Sequence, residues 1–303
     1  MKRVLVGYGI DVDAVSGWIN TMDGSVADPT NVSRGLFGAM VGIERLLKIW
    51  DKYGIKATWF VPAHSIESFG PQLAKVRDSG HEFGLHGYTH ENVGRLSVEQ
   101  QRDVLQRSIA ALTAFTGRRP VGWTAPSWST SKETPQLLQE HGIEYDHSFM
   151  YHDSQMYYLP DQTEEYVSTD VSKPAAHWMR PMTELRESAI VEIPASWYLD
   201  DWPPLQLNLK QPTTHGFVSP HVVEQIWREQ FDYLYREHET FVFPISIHPQ
   251  VSGKPHVALM HERLIEYINT HEGVEWMTME EMAAEFKSGR FPGVTITGGA
   301  PRP

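Results

Sequence analysis

The chain has 303 residues, 41% of them apolar, and 26 Lys plus Arg against 38 Asp plus Glu, for a net charge of −12. That length suits a single large α/β core, and so acidic a chain gains nothing from displacing counterions off a polyanion, which argues against a nucleic-acid partner. Cysteine is absent, so disulfides and thiolate metal sites are excluded and any metal must sit on His, Asp or Glu.

The opening MKRVLVGYGIDVD turns acidic after a few apolar residues, too soon for a signal-peptide core, and no later run reaches transmembrane length. A cytoplasmic protein without a membrane segment is expected. Residues 4–10, VLVGYGI, read as a buried strand. Ile43, Leu46, Leu47 and Trp50 recur at helical spacing, with Gly54 placed as a C-cap, and KATWFV (56–61) is the second strand. A short helix through Leu73 and Val76 ends at Gly80, and HEFGLH (81–86) follows as a strand. Ser97 and Gln100 form a capping box for a helix running to Gly117. VGWT (121–124) and IEYD (143–146) are strands flanking a helix that stops at Gly142. AIVEI (189–193), TFVFPISIH (240–248) and VEWM (274–277) complete the strands, although Pro244 limits the ladder of the second of these. Ser219-Pro220 opens one late helix, and Thr278 with Glu281 caps the last.

Strands alternating with helices imply parallel pairing, and about eight such units, or seven, suggest a closed (β/α) barrel. The expected organisation is one domain over residues 1–290 with a flexible tail over 291–303. Insertions at 147–188 and 194–218 exceed minimal loops and should shape a pocket or an interface.

The unusual polar residues collect at strand ends. Asp11 and Asp13 follow the first strand at i, i+2 spacing, which aims both carboxylates the same way in an extended chain. His86 and His90 in GLHGYTH share a face if the chain makes a helical turn there. His248 ends another strand. In a barrel all five reach the C-terminal, catalytic face. A carboxylate and two imidazoles suit Zn²⁺ or another divalent transition metal and leave positions open for water. A further carboxylate to take a proton and a further histidine to give one complete the parts for metal-assisted hydrolysis.

GIDVDA, HGYTH and ISIHP resemble the signature motifs of the polysaccharide deacetylase superfamily, over nearly the whole chain. RGLFGAMVGIERLL, KATWFVPAHSIE, EIPASWYLDD and GFVSPH resemble the branch that holds a Helicobacter peptidoglycan-deacetylase-like protein, cyclic imide hydrolases and cofactor-independent allantoinases. The resemblance implies a distorted (β/α) barrel, Asp11 as general base, Asp13, His86 and His90 as metal ligands, and His248 as general acid. It implies a divalent metal, Zn²⁺ before Co²⁺, Ni²⁺ or Mn²⁺, and a homo-oligomer of tetramer type. Many relatives carry Arg-x-Pro-aromatic after the fourth strand, where Arg orients the base. This chain has Thr124-Ala125-Pro126-Ser127-Trp128 there, with Arg34 a loose substitute. Trp128, Trp197 and Trp202 are candidate pocket walls, Glu192 is a candidate to orient His248 or contact substrate, and Asp146 is a candidate to support His248 in the same way. Asp200 and Asp201 read as a loop cap or pocket residues.

The function expected is hydrolysis of a non-peptide C–N bond, with a small cyclic imide or ureide as substrate. The missing Arg, the absence of an export signal and the aromatic-rich insertions favour that substrate over a polymer. N-deacetylation of peptidoglycan or another short or long N-acetylated glycan is the alternative. A third reading is a non-catalytic, metal-bound carbohydrate-binding homologue.

Overall fold

The strands form a curled, mostly parallel sheet. The computed structural model describes residues 2–161, 166–207 and 216–299; residues 162–165 and 208–215 of the two insertions and the last four of the expected tail lie outside them. The strands are β1 (Arg3–Asp11), β2 (Thr58–Val61), β3 (Glu82–Leu85), β4 (Gly122–Trp123), β5 (Tyr145–Asp146), β6 (Tyr157–Pro160), β7 (Glu187–Glu192), β8 (Thr240–Ile247) and β9 (Val274–Trp276). They are ordered β6-β7-β5-β4-β3-β2-β1-β8, with β9 also paired to β1. Every pairing is parallel except β6–β7.

All eight expected strands form. The ninth, β6, lies inside the first long insertion and was not expected; it returns antiparallel along β7 and starts the sheet. Pro244 keeps its place in β8 because that strand ends the sheet, where a missing N–H breaks no central ladder. Between the two ends, side chains and one bridge stand in for strand pairing. Asp200 bridges Ser246 of β8, and the ring of His147 spans from the Ile193 carbonyl (2.7 Å) to the Ser246 hydroxyl (3.0 Å).

The alternation of β1 decides what faces where. Val4, Val6, Tyr8 and Ile10 join the core between sheet and helices, whereas Leu5 joins a second cluster with Phe60, Tyr145, Val242, Met279 and Met282 on the concave side. Gly7 and Gly9 share the parity of Leu5, and a Cβ on either would strike Met282 or Met279. The C-terminal helix Met279–Lys287 therefore plugs the bottom of the concavity. Its capping box of Thr278 and Glu281 forms as expected, and its first amides are met by Thr58 and the half-buried Glu82. Asp11 and Asp13 continue the concave parity and stand at the open upper end.

The stretch RGLFGAMVG brings helices against that end. Helix Pro29–Phe37 runs through a wide turn, Gly38–Gly42, into helix Ile43–Tyr53. A Cβ on Gly35 would lie 2.2 Å from the Ala14 carbonyl, and one on Gly42 would lie 2.2 Å from that of Pro249. These glycines let the helix press directly on the loops that carry Asp13 and His248. Part of the expected tail is held rather than loose. Phe291 is buried, Val294 N donates to Met156 O (2.9 Å), and Leu185 N donates to Gly298 O (3.1 Å).

Candidate metal centre

The chain after β1 stays extended for two residues and then turns sharply. Val12 N bonds Phe60 O (2.9 Å), Ala14 takes a left-handed conformation, and Ser16 N bonds Asp13 O (2.8 Å). The Ser65 hydroxyl also donates to Asp13 O (3.0 Å). The carboxylate of Asp13 is thereby fixed beside that of Asp11.

Two imidazoles approach from β3. His86 follows the strand directly, and its Nδ1–H donates to the Thr124 carbonyl (2.9 Å), which leaves the Nε2 lone pair facing inward. His90 arrives by a loop, not by the helical turn the spacing suggested. Gly87 and His90 both have positive φ, and Glu91 binds the amides of Tyr88 (3.0 Å) and Thr89 (2.7 Å) to hold the loop. The Asn20 side chain donates to the His90 carbonyl from the opposite side. The rings of His86 and His90 meet edge to face with centroids 4.9 Å apart.

The donors converge. Asp13 Oδ1 lies 3.4 Å from His86 Nε2 and 3.7 Å from His90 Nε2. One ligand atom from each of the three residues falls within 4.8 Å of the others. Asp13 Oδ1 and His86 Nε2 are both buried with no hydrogen-bond partner. Two buried lone-pair groups without a donor between them are a costly arrangement that a cation relieves. The donor set, one carboxylate and two imidazoles, is also the chemistry of a divalent transition-metal site.

Asp11 lies opposite. Its Oδ2 is 3.7 Å from His86 Nε2 and 3.9 Å from His248 Nε2. No arginine pairs with it among the described residues. Arg34 instead donates to Asn31 Oδ1 (3.2 Å) and Leu207 O (2.6 Å), and its guanidinium stacks over Trp18. The two carboxylates have opposite proton affinities. Burial pushes Asp11 above the usual carboxylate range, and His86 and His248 only partly offset it. Burial acts on Asp13 too, but His90, His86 and His248 together drive it well below that range.

His248 is aimed by Asp201. Asp201 Oδ1 accepts from His248 Nδ1–H (2.7 Å) and Oδ2 from His248 N (3.0 Å). Burial disfavours the imidazolium, but Asp201, joined by Asp200 and Asp13, outweighs burial and holds the His248 pKa well above its ordinary value. Trp202 packs on the ring, with centroids 4.9 Å apart.

Glu192 and Asp146 do not orient His248. They are register partners on β7 and β5 and face each other on the concave side. Glu192 Oε1 takes the amides of Ser148 and Phe149 (both 2.9 Å), and Asp146 Oδ1 takes the Ser148 hydroxyl (2.6 Å). Their other oxygens, Oε2 and Oδ2, have no donor. Burial raises both, Asp146 to about 7, so this pair retains a proton near neutrality.

Trp128 and Trp197 do meet, edge to face at 4.5 Å between centroids. Trp128 Nε1 donates to Thr124 Oγ1 (3.2 Å), and Trp197 is 44% exposed, which makes it the outer part of the wall. Ser127 and Trp128 both carry positive φ, so the segment that departs from the Arg pattern is also strained. Sequence reasoning missed Gln250, whose Nε2 donates to Asp13 Oδ2 (3.3 Å), and Thr124 as the partner of His86. It also missed the role of Asp201.

Comparison with known proteins gives consistent results. The sequence pattern of the family described as polysaccharide deacetylase matches residues 38–145. The peptidoglycan deacetylase of Helicobacter pylori is 48% identical over 285 residues, covering 94% of this chain and 97% of that protein. A peptidoglycan deacetylase-like protein of Gibberella zeae is 40% identical and covers 94% of this chain and 87% of its own. Among solved structures, a Mycobacterium smegmatis protein assigned to the polysaccharide deacetylases superposes with a TM-score of 0.81 at 26% identity, over 99% of this chain and 95% of that one. The PuuE allantoinase superposes with a TM-score of 0.75 at 21% identity, over 95% and 91%, a likeness of fold alone.

Proposed function

The chain belongs to the polysaccharide deacetylase family, metal-dependent hydrolases of C–N bonds, and on that premise we propose that it removes acetyl groups from an N-acetylated glycan. The single observation that carries the reading is the convergence of Asp11, Asp13, His86, His90 and His248 around Asp13 Oδ1 and His86 Nε2, two buried atoms without partners. The substrate class follows the relatives: two proteins at 48% and 40% identity carry peptidoglycan deacetylase in their names. This reverses the order expected from sequence, where a cyclic imide came first.

In this proposal Asp13, His86 and His90 hold a divalent cation, with Zn²⁺ the first choice and Co²⁺, Ni²⁺ or Mn²⁺ compatible with the donors. Such a cation, when bound, polarises the acyl oxygen and acidifies a water. Asp11 takes the proton of the attacking water. Its proton affinity, pushed up by burial, suits it to accept. His248, kept protonated at Nε2 by the carboxylate behind it, donates to the leaving nitrogen as the C–N bond breaks. Gln250 fixes Asp13 Oδ2 so that Oδ1 faces His86 and His90.

One observation favours a second reading, a small cyclic imide or ureide as substrate. Asp11 has no arginine partner, and the segment in its place presents Trp128 against Trp197 beside the site. Such an aromatic wall suits a compact ring. Purified protein should be offered N-acetylated chito-oligomers, succinimide-type imides and allantoin in parallel. Acetate release from the oligomers supports deacetylation. Ring opening with no acetate from any oligomer overturns it. A homo-oligomer remains part of the proposal. No helix among the described residues is long and apolar enough to cross a membrane.

A further inference from the structure

Behind His248 a file of hydrogen bonds continues past Asp201 into the core. Besides the two bonds from His248, Asp201 Oδ2 accepts from Ser252 Oγ at 2.5 Å. Ser252 Oγ is 2.8 Å from His261 Nε2, and His261 Nδ1 is 3.3 Å from the Tyr8 hydroxyl. Tyr8, Asp201, Ser252 and His261 are all fully shielded from solvent. They come from four separate parts of the fold. Tyr8 is on β1, Asp201 on the segment bridged to β8, Ser252 on the turn Pro249–Ser252, and His261 on helix Pro255–Ile268.

The direction of each bond is forced. An ionised carboxylate only accepts, so the Ser252 proton points at Asp201. The Ser252 oxygen then accepts from His261, which places the His261 proton on Nε2. The free lone pair on Nδ1 accepts from Tyr8. Burial holds His261 neutral, with its pKa near 4, and keeps Tyr8 protonated, so no competing charge enters the file. Every proton from Tyr8 onward points toward Asp201.

We propose that Ser252 and His261 are positioning residues for the acid: they fix the Asp201 carboxylate, and through it the aim of the His248 ring. A carboxylate bound only by His248 could rotate about its last bond. With Ser252 on Oδ2, Oδ1 stays on Nδ1 of His248 and the Nε2 proton faces the site. Neither residue touches Asp11, Asp13, His86 or His90 through any hydrogen bond or ion pair, so they act through His248 alone. Ordinary packing of a buried histidine accounts for the ring contacts of His261 with Tyr8, Trp50 and Trp227. It does not account for a serine bonded to both His261 and the carboxylate of the acid.

The inference rests on His248 being the acid, and the test separates the two. The holoenzyme and its Ser252→Ala, His261→Phe, His261→Gln and His248→Ala variants are compared on an N-acetyl amide and on p-nitrophenyl acetate. Only the amide has a leaving group that needs a proton. Ser252→Ala and His261→Phe should lower kcat on the amide by roughly 10–100-fold, the usual effect of removing an outer-shell partner, while KM and metal content hold. Loss on the ester should be far smaller. His261→Gln, whose amide can still donate to Ser252, should recover most of the amide rate. Proton NMR gives a reading independent of turnover: the His248 Nδ1–H signal, identified by its loss in His248→Ala, should stay sharp and far downfield in the parent and broaden or shift upfield in Ser252→Ala. An unchanged amide rate and an unchanged Nδ1–H signal in Ser252→Ala overturn the inference, as does an equal loss on both substrates. If His248→Ala itself shows no preference between amide and ester, the acid reading fails instead.

Discussion

Replacing Asp13 with Asn tests the centre most directly, because the change keeps the shape of the side chain and removes its charge. In the structure Asp13 Oδ1 is the atom shared by His86 and His90, and it has no donor of its own. Leaving two such buried groups without partners costs about 1–3 kcal/mol each. A cation present at 100 times its dissociation constant stabilises the fold by about 2.7 kcal/mol. For a chain somewhat larger than 150–250 residues, at roughly 2–4 °C per kcal/mol, chelation should lower Tm by about 5–10 °C. Loss of an anionic ligand weakens binding by at least the roughly 10–100-fold that follows loss of an outer partner. Each tenfold is about 1.4 kcal/mol, so Asp13→Asn should lose most of that response. The surrounding imidazoles hold the Asp13 pKa below the carboxylate range, so its charge stabilises the fold and the metal-free variant should be somewhat less stable than the metal-free parent at neutral pH. Thermal unfolding with and without chelator, alongside elemental analysis, reads all three quantities. An Asp13→Asn protein with one metal per chain and the parental chelator response would refute the assignment.

Three further outcomes follow from the same geometry. His248→Asn should cut the amide rate by about 10²–10⁴-fold with metal content unchanged, and steady-state kinetics with elemental analysis checks both halves. Glu192→Gln should flatten the pH dependence of stability. Carboxyl pKa values raised in the fold mean that the native state binds more protons than the unfolded chain between the ordinary carboxylate range and about pH 7, so parental stability falls as pH rises through that window. The Gln amide donates to Asp146 Oδ2 and lets Asp146 ionise, so urea midpoints at pH 5 and pH 8 should differ less in the variant; an unchanged difference sinks the shared-proton account. Gly42→Ala places a Cβ 2.2 Å from the Pro249 carbonyl, next to His248, and should cost about 1–3 kcal/mol of stability by chemical denaturation.

Much of the fold was legible because its signals are local. The strands that alternate with helices, both capping boxes and the C-cap glycines at 54 and 117 each depend on residues a few positions apart. β6 escaped notice because it lies in an insertion and pairs backward with β7. In the candidate site, the strand-end rule found Asp11, Asp13, His86 and His248, all at the same end of the sheet. The same rule misread Asp146 and Glu192. Both do end strands, but neighbouring parallel strands put them side by side, so each became the other's partner. Asp201 was read as a cap because its link to His248 spans 47 residues and depends on the bridge that draws the loop against β8. Contacts between loops that meet only after the sheet has curled leave no periodic trace.

Asp11 and Asp13 show how much that tertiary context decides. Two identical side chains, two residues apart on one face of one strand, are indistinguishable by pattern. Their surroundings drive them in opposite directions. Asp13 accepts a hydrogen bond from Gln250 on one oxygen and faces two imidazoles with the other, and its proton affinity falls. Asp11 is buried with no hydrogen-bond donor among the described residues, and its affinity for a proton rises. A pair of carboxyl groups pushed apart in this way is suited to two jobs, one permanently charged and one able to exchange a proton. That supports the division we propose, with Asp13 as ligand and Asp11 as base. It also bears on the absent arginine. A guanidinium beside Asp11 would pull its proton affinity down toward that of Asp13. Without one, burial and the neighbouring carboxylates keep Asp11 up while the imidazoles hold Asp13 down.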